Sequence, residues 1–269
     1  MIAKLHIQTA NQNGITFLKQ SYSTPPFKIA NITENKKADC LHLMVMNSSP
    51  GILDEDDYEI KIEVAGNSSL QLHTQAYQRL FNMKKGAKQL MKVHLSAGSS
   101  FMFLPHPAVP HENSIFTAKN KIYLNDNCSL IWGEVLTCGR KLNDEVFRFS
   151  KYHTITEIFH NNNLIIKENL LMHPSHINPA TIGQLEGYTH QASLIYLNKN
   201  SIAANSFLAV HDYLSYQKEI LFGITSTAGN GLLIRILGHK AEQLYHHLHL
   251  IVSILHQQKT VQAGNMYAS

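Results

Sequence analysis

From residue 58 to about residue 159, apolar and polar side chains alternate at period two in short runs broken by Gly, Asn, Asp and Ser. That pattern predicts half-buried strands joined by tight turns. One unit recurs at residues 61–72, 92–103 and 121–132. Each copy reads Lys, a branched apolar residue, a spacer and Val or Leu, then four turn-like positions, then Ser, Leu or Phe, a spacer, and Leu, Phe or Trp. The copies begin 31 and 29 residues apart, at Lys61, Lys92 and Lys121. A unit of this size cannot cover its own apolar face, so successive copies should stack into layered sheets as in a solenoid. The alternative is an antiparallel sandwich whose hairpins happen to look alike. In either case the fold class is mainly β, with stacked sheets of solenoid or sandwich type and a few helices. Leu70, Phe101 and Leu130 occupy equivalent positions and should stack on one another in the core.

Further strands are expected at residues 145–150, 153–159 and 163–172, with Asn161-Asn162-Asn163 as a turn. The segment 202–222 is mixed, and within it residues 208–216 fit a strand or a short helix equally. Ala241, Leu244, Leu248, Ile251, Val252 and Leu255 recur at three- and four-residue steps, which predicts a C-terminal amphipathic helix over 240–258. Its apolar stripe must be covered by the chain's own sheet or by a partner. No low-complexity linker interrupts residues 1–269, so one domain is expected.

With 44% hydrophobic and 16% charged residues, the 269-residue chain can bury a sizeable core and does not read as disordered. Its net charge of +4 is scattered rather than clustered, which argues against nucleic acid as a partner. Cys40, Cys128 and Cys138 are odd in number and form no CxxC pair, which fits a reducing compartment. Polar residues enter the N-terminus too early for a secretory segment, and no run of eighteen apolar residues follows. The expectation is a soluble, cytoplasmic protein with no membrane partner.

The 17 histidines call for a search for metal or proton chemistry. On the predicted last helix Glu242, His246 and His249 share one side and could hold a metal, but the HExxH order is absent, and a solvated polar face is the plainer account. His106 and His111 lie among Pro105, Pro107 and Pro110 on a stiff loop suited to binding, or to a simple crossover. There is no GxSxG elbow, and residues 223–231 lack the Lys-Ser/Thr of a phosphate loop, so no catalytic residue is assigned and no enzyme is expected. That segment reads as a strand-to-strand loop. Asp54-Glu55-Asp56-Asp57 could attract a cation or simply form a solvated turn. Glu134 and Glu168 each interrupt an apolar run, so each faces either solvent or something polar inside.

Several stretches, in order along most of the chain, resemble the urease accessory proteins of the UreD/UreH family, in particular its Helicobacter-like UreH branch. They are Thr24-Pro-Pro-Phe-Lys28, Ser48-Ser-Pro-Gly-Ile-Leu53, Thr74-Gln-Ala-Tyr-Gln-Arg79, Leu104-Pro-His-Pro-Ala-Val-Pro110, Trp132-Gly-Glu-Val-Leu-Thr-Cys-Gly-Arg140 with Glu145-Val-Phe-Arg-Phe149, Glu186-Gly-Tyr-Thr-His190 and Gly231-Leu-Leu-Ile-Arg-Ile-Leu237. The resemblance implies a non-enzymatic maturation factor that binds apo-urease, recruits the accessory proteins UreF and UreG in a complex where it is dimeric, and conducts nickel(II) transiently, with no tightly bound cofactor. It carries Asp56 and Glu134 over as candidate residues of the nickel path. Glu168 is a weaker third, and His246 and His249 remain speculative ligands. Thr24, Pro25, Pro26, Arg140, Tyr188 and His190 are put forward for partner binding. Glu55 stands where the family usually has Gly, in a turn whose backbone angles Glu resists.

A conduit must hold its ion weakly, so isolated carboxylates with water suit it better than a closed His/Cys set. Two rival readings are a metal-dependent hydrolase on a β-scaffold, with His106, His111 or the C-terminal histidines as ligands, and a purely structural adaptor without nickel passage.

Overall fold

The structure, a computed structural model, describes residues 1–35, 38–198 and 204–266. The first elements are β1 (Ile2–Gln12), β2 (Ile15–Ser23), β3 (Phe27–Asn31) and β4 (Cys40–Asn47). The repeat region supplies β5 (Asp57–Val64), β6 (Ser69–Thr74), β7 (Gln78–Leu80), β8 (Ala87–Leu95), β9 (Ser100–Phe103), β10 (Ala108–Pro110), β11 (Ile115–Leu124) and β12 (Ser129–Leu136). There follow β13 (Lys151–His160), β14 (Asn163–Met172), β15 (His190–Leu197), α1 (Ala204–Ser215), β16 (Leu221–Thr227), β17 (Gly231–Gly238) and α2 (Ala241–Met266).

Each repeat places its first strand in one sheet and its second in another. The first sheet runs β14-β13-β11-β8-β5-β1-β2, and the second runs β16-β17-β15-β12-β9-β6-β4-β3, with β7 and β10 beside it. Strands β5, β8 and β11 pair in parallel with Lys61, Lys92 and Lys121 in one row, and Leu70, Phe101 and Leu130 form another row across β6, β9 and β12. All three of the latter are buried. The stacked, solenoid-like reading therefore holds for the centre of the molecule, while its flanks are antiparallel, β1 with β2, β13 with β14, β15 with β17, and β17 with β16. The turn between sheets repeats as well. The seventh residue of each copy, Asn67, Gly98 and Asn127, has φ of 53°, 73° and 59°. Asn and Gly are the residues that accept this left-handed conformation, which is why the turn positions recur in the sequence.

Two apolar cores result. One fills the space between the sheets, and the other lies between the outer face of the second sheet and the helices. Leu244, Leu248, Ile251, Val252 and Leu255 of α2 are buried in the second core beside Leu104, Ile131 and Leu194, so the helix stripe is covered by the chain's own sheet. Burial of each Leu or Ile stabilises the packing by roughly 1.5–3 kcal/mol. Gly133 makes the close approach possible, since a Cβ there would lie 2.4 Å from the Leu104 side chain and 3.2 Å from Leu248. The segment left open between strand and helix is α1, with residues 202 and 203 outside the described part. Residues 223–231, expected as a loop, instead carry the end of β16 and the turn into β17, because Ile224 and Thr225 continue the strand pairing. No helix among the described residues is long and apolar enough to cross a membrane.

Candidate functional site

The space between the sheets is not uniform. Toward the repeated turns it is closed by an apolar row, Ile7, Ile62, Val93, Ile122 and Ile158, each fully buried. One step along the strands the next row carries Asn120, Thr156 and Glu168 on neighbouring strands β11, β13 and β14. Opposite it, Glu134, Ser193 and Arg235 form a row across β12, β15 and β17. A cavity of about 300 Å³ opens on this side, extending from Leu5 of β1 and Phe27 of β3 to Tyr152 and Thr154 of β13.

Glu134 is the one carboxylate in the cavity wall among the described residues. Its Oε1 accepts from Trp132 Nε1 at 3.0 Å, Asn120 Nδ2 at 3.2 Å and Thr156 Oγ1 at 3.3 Å, and its Oε2 accepts from Thr154 Oγ1 at 3.4 Å. Burial pushes its carboxyl above the ordinary range, against the pull of those hydrogen bonds, and the nearby charge of Glu168 adds to the rise. Tyr152, behind it, is held protonated by burial and by the Glu134 charge.

Asp56 is not in the wall. It is 4% exposed and accepts from the Leu53 N–H at 2.9 Å, the Tyr58 hydroxyl at 3.2 Å and the Met1 amino group at 3.2 Å. Tyr58 does line the cavity, and its hydroxyl is pushed up to about 12, by burial first and then by the Asp56 charge. Asp56 thus reaches the cavity through Tyr58 and anchors the turn before β5. That turn keeps its left-handed residue, for Glu55 has φ of 64°. Glu168 is paired with the Arg235 guanidinium across the two sheets, and Arg235 lies two strands from Glu134 with β15 between them.

At the second sheet's edge of the cavity stand Tyr77 and His106, and both also touch α2. Tyr77 donates to Glu242, and His106 stacks on Tyr245 with ring centroids 5.0 Å apart. Tyr245 in turn packs edge-on to His249, while His246 is exposed. Among the described residues no group of three or more His, Cys, Asp or Glu side chains is arranged to hold a metal ion. His111 is buried against Phe81, with burial holding its ring below the usual imidazole range.

The residues put forward for partner binding divide. Thr24 accepts from the Lys4 N–H at 2.8 Å, Pro25 is exposed, and Pro26 is buried with its carbonyl accepting from Ser48. Arg140 grips Glu145 through Nε at 2.8 Å, and Tyr188 stacks on His239. His190 is 6% exposed and held down to about 4 by burial, then by Lys141 and His239, so the Arg140 loop and the Tyr188–His190 segment meet at one end of the second sheet. His190 there supports the surface rather than presenting itself on it.

Sequence reasoning did not single out Asn120, Thr154, Thr156 or Arg235. The signal for Asn120 was present, since Phe116, Ala118, Ile122 and Leu124 set its phase as inward and it alone in that set is strongly polar.

A family model described as UreD urease accessory protein matches residues 1–266. The chain is 47% identical over 246 residues to the urease accessory protein UreD of Flavobacterium johnsoniae, covering 91% of this chain and 89% of the relative. It is 32% identical to the protein of the same name from Acetivibrio thermocellus, over 94% of this chain and 97% of that one. A Haemophilus influenzae UreD shares 34% identity over 91% of this chain and 95% of its own. With a match across nearly its whole length and the fold that the resemblance implied, the chain belongs to the UreD family of urease accessory proteins.

Proposed function

We propose that the protein serves urease maturation as a non-catalytic factor, binding apo-urease together with the accessory proteins UreF and UreG and passing nickel(II) through the cavity between its sheets. The observation that carries this reading is Glu134, a half-buried carboxyl that is the one acid lining the largely apolar cavity among the described residues, held by side-chain donors from three strands. One carboxylate with amide and hydroxyl neighbours and water is a weak oxygen site for a dication, suited to passage rather than retention. Burial works against the charged form of this carboxyl, which weakens its hold on a dication. No three-ligand set among the described residues supports a metal-dependent hydrolase.

The test is the nickel content of urease co-produced with Glu134→Gln, read beside a pull-down of UreF and apo-urease. Loss of nickel with assembly intact is the expected result. Full nickel loading would leave the structural-adaptor reading in its place.

A further inference from the structure

The outer face of the second sheet carries its own donor group, separate from the cavity carboxylate. On β4 the residues alternate, Leu41 and Leu43 inward into the core, and Cys40, His42 and Met44 outward and half-buried. Met44 is the register partner of His73 on β6. His42 Nδ1 lies 3.3 Å from His73 Nε2, with the rings nearly parallel at 13°. Neither ring has a carboxylate as its hydrogen-bond partner among the described residues. Two imidazole nitrogens bound to one tetrahedral ion at about 2.05 Å stand roughly 3.3 Å apart. The pair therefore has the spacing of two ligands on one ion, joined at present by a ring N–H···N hydrogen bond, and a turn of both rings would aim the two nitrogens at a shared ion.

We infer that His42 and His73 form a docking site for a borderline divalent cation on the outer face of the second sheet, with water completing the coordination. Imidazole suits such ions, and the Met44 thioether beside the pair favours the softer members of the class. Two protein ligands leave the ion exchangeable. The site also adjoins the cavity. His73 precedes Thr74, which lines it, and the Thr74 hydroxyl meets His106 Nδ1 at 3.0 Å in the same wall. His249 of α2 lies within electrostatic reach of both His73 and His106. The inference rests on the proposed nickel passage only for the identity of the ion.

Equilibrium dialysis of Ni(II) against the untagged full chain at pH 7.5 tests it. The expected result is one site whose affinity falls at least tenfold in His42→Ala and in His73→Ala, and also in His73→Gln, which keeps the bulk of the side chain. The variant His153→Ala, on the other sheet, should stay within twofold of the parent. Histidine ring resonances of the parent should broaden with substoichiometric Ni(II) at these two residues first. Unchanged affinity in the His42 and His73 variants, no binding by the parent, or broadening confined to other histidines would overturn the site. Failure of nickel delivery to depend on Glu134 would overturn the conduit reading and leave the dialysis result standing.

Discussion

Trp132 donates its indole N–H to the carboxylate of Glu134, two residues further along the same strand, and both face the space between the sheets. A buried ring that bonds its nearest inward neighbour secures one rotamer of that carboxyl, with Asn120, Thr154 and Thr156 fixing it from the opposite sheet. The folded protein raises the carboxyl above its ordinary value of 4.5. A raised acid contributes its full stability below the unfolded value and loses it as pH rises through the folded one. Glu134→Gln keeps the acceptor and the shape but carries no charge. It should therefore be more stable than the parent in urea at pH 7 to 8, with the gap closing near pH 4. A gap that is constant across this range would show that the carboxyl titrates as it does in the unfolded chain.

Asp56 was expected to act beside Glu134, and its surroundings give it a structural part in the turn before β5. Its carboxylate satisfies the Leu53 N–H and the Tyr58 hydroxyl in a buried turn. Asp56→Ala leaves both donors without a partner and should destabilise the fold by about 3 kcal/mol. Reduced urease activation by this variant would then follow from lower protein abundance, visible as a fall in the urea midpoint, and Asp56→Asn should recover part of it. A normal midpoint with lost nickel delivery would return Asp56 to the conduit.

Glu55 occupies a left-handed position where glycine carries no steric penalty. Its carboxylate meets Lys85 Nζ at 2.7 Å, but both side chains are well exposed, and such pairs are worth roughly 0–1 kcal/mol. Relief of the backbone should outweigh that loss. Glu55→Gly is expected to raise stability by up to about 1 kcal/mol, measured by chemical denaturation, whereas Glu55→Ala keeps the strain and loses the ion pair and should fall below the parent.

The repeat was legible because its turn needs a left-handed residue in each copy, and Asn67, Gly98 and Asn127 mark the place. The face of Glu134 was not. Strand β12 is covered by the first sheet on one side and by α2 on the other, so every residue from Ser129 to Leu136 except Glu134 is buried, and period two carries no information there. The strand β1 was readable but passed over, for Ala3, Leu5 and Ile7 alternate cleanly into the core. The cavity itself is a property of rows, not of segments. Asn120, Thr156 and Glu168 become neighbours only once three strands are in register, and no window of the sequence contains them together.

That register makes the stacked row a direct test of the fold. Leu70, Phe101 and Leu130 are at most 2% exposed and lie side by side. Phe101→Ala should cost about 3–5 kcal/mol and Leu70→Ala or Leu130→Ala about 2–5 kcal/mol, by chemical denaturation. The double variant Leu70→Ala with Phe101→Ala should deviate from additivity, since the two cavities merge. Strict additivity would mean that the side chains do not share a packing environment.

Arg235 and Glu168 give the proposed passage a charge test. The guanidinium shares a row with Glu134 through Ser193, and its pairing with Glu168 stands between the cavity wall and the β14 edge of the first sheet. A fixed cation there opposes a dication, and Glu168 offsets it. Arg235→Gln should therefore speed nickel transfer to urease, while Glu168→Gln, which leaves the guanidinium unpaired, should slow it. Arg235 is 54% exposed and Glu168 27%, so neither change should move stability by more than about 1 kcal/mol. The opposite signs are what separate electrostatics from damage, because a merely structural pair would lose activity on removal of either partner. The measurement is the rate of urease activation at fixed nickel, repeated at higher ionic strength, where both effects should shrink. Loss of rate in both variants, insensitive to salt, would make the pair a clasp between the sheets with no part in the passage of the ion.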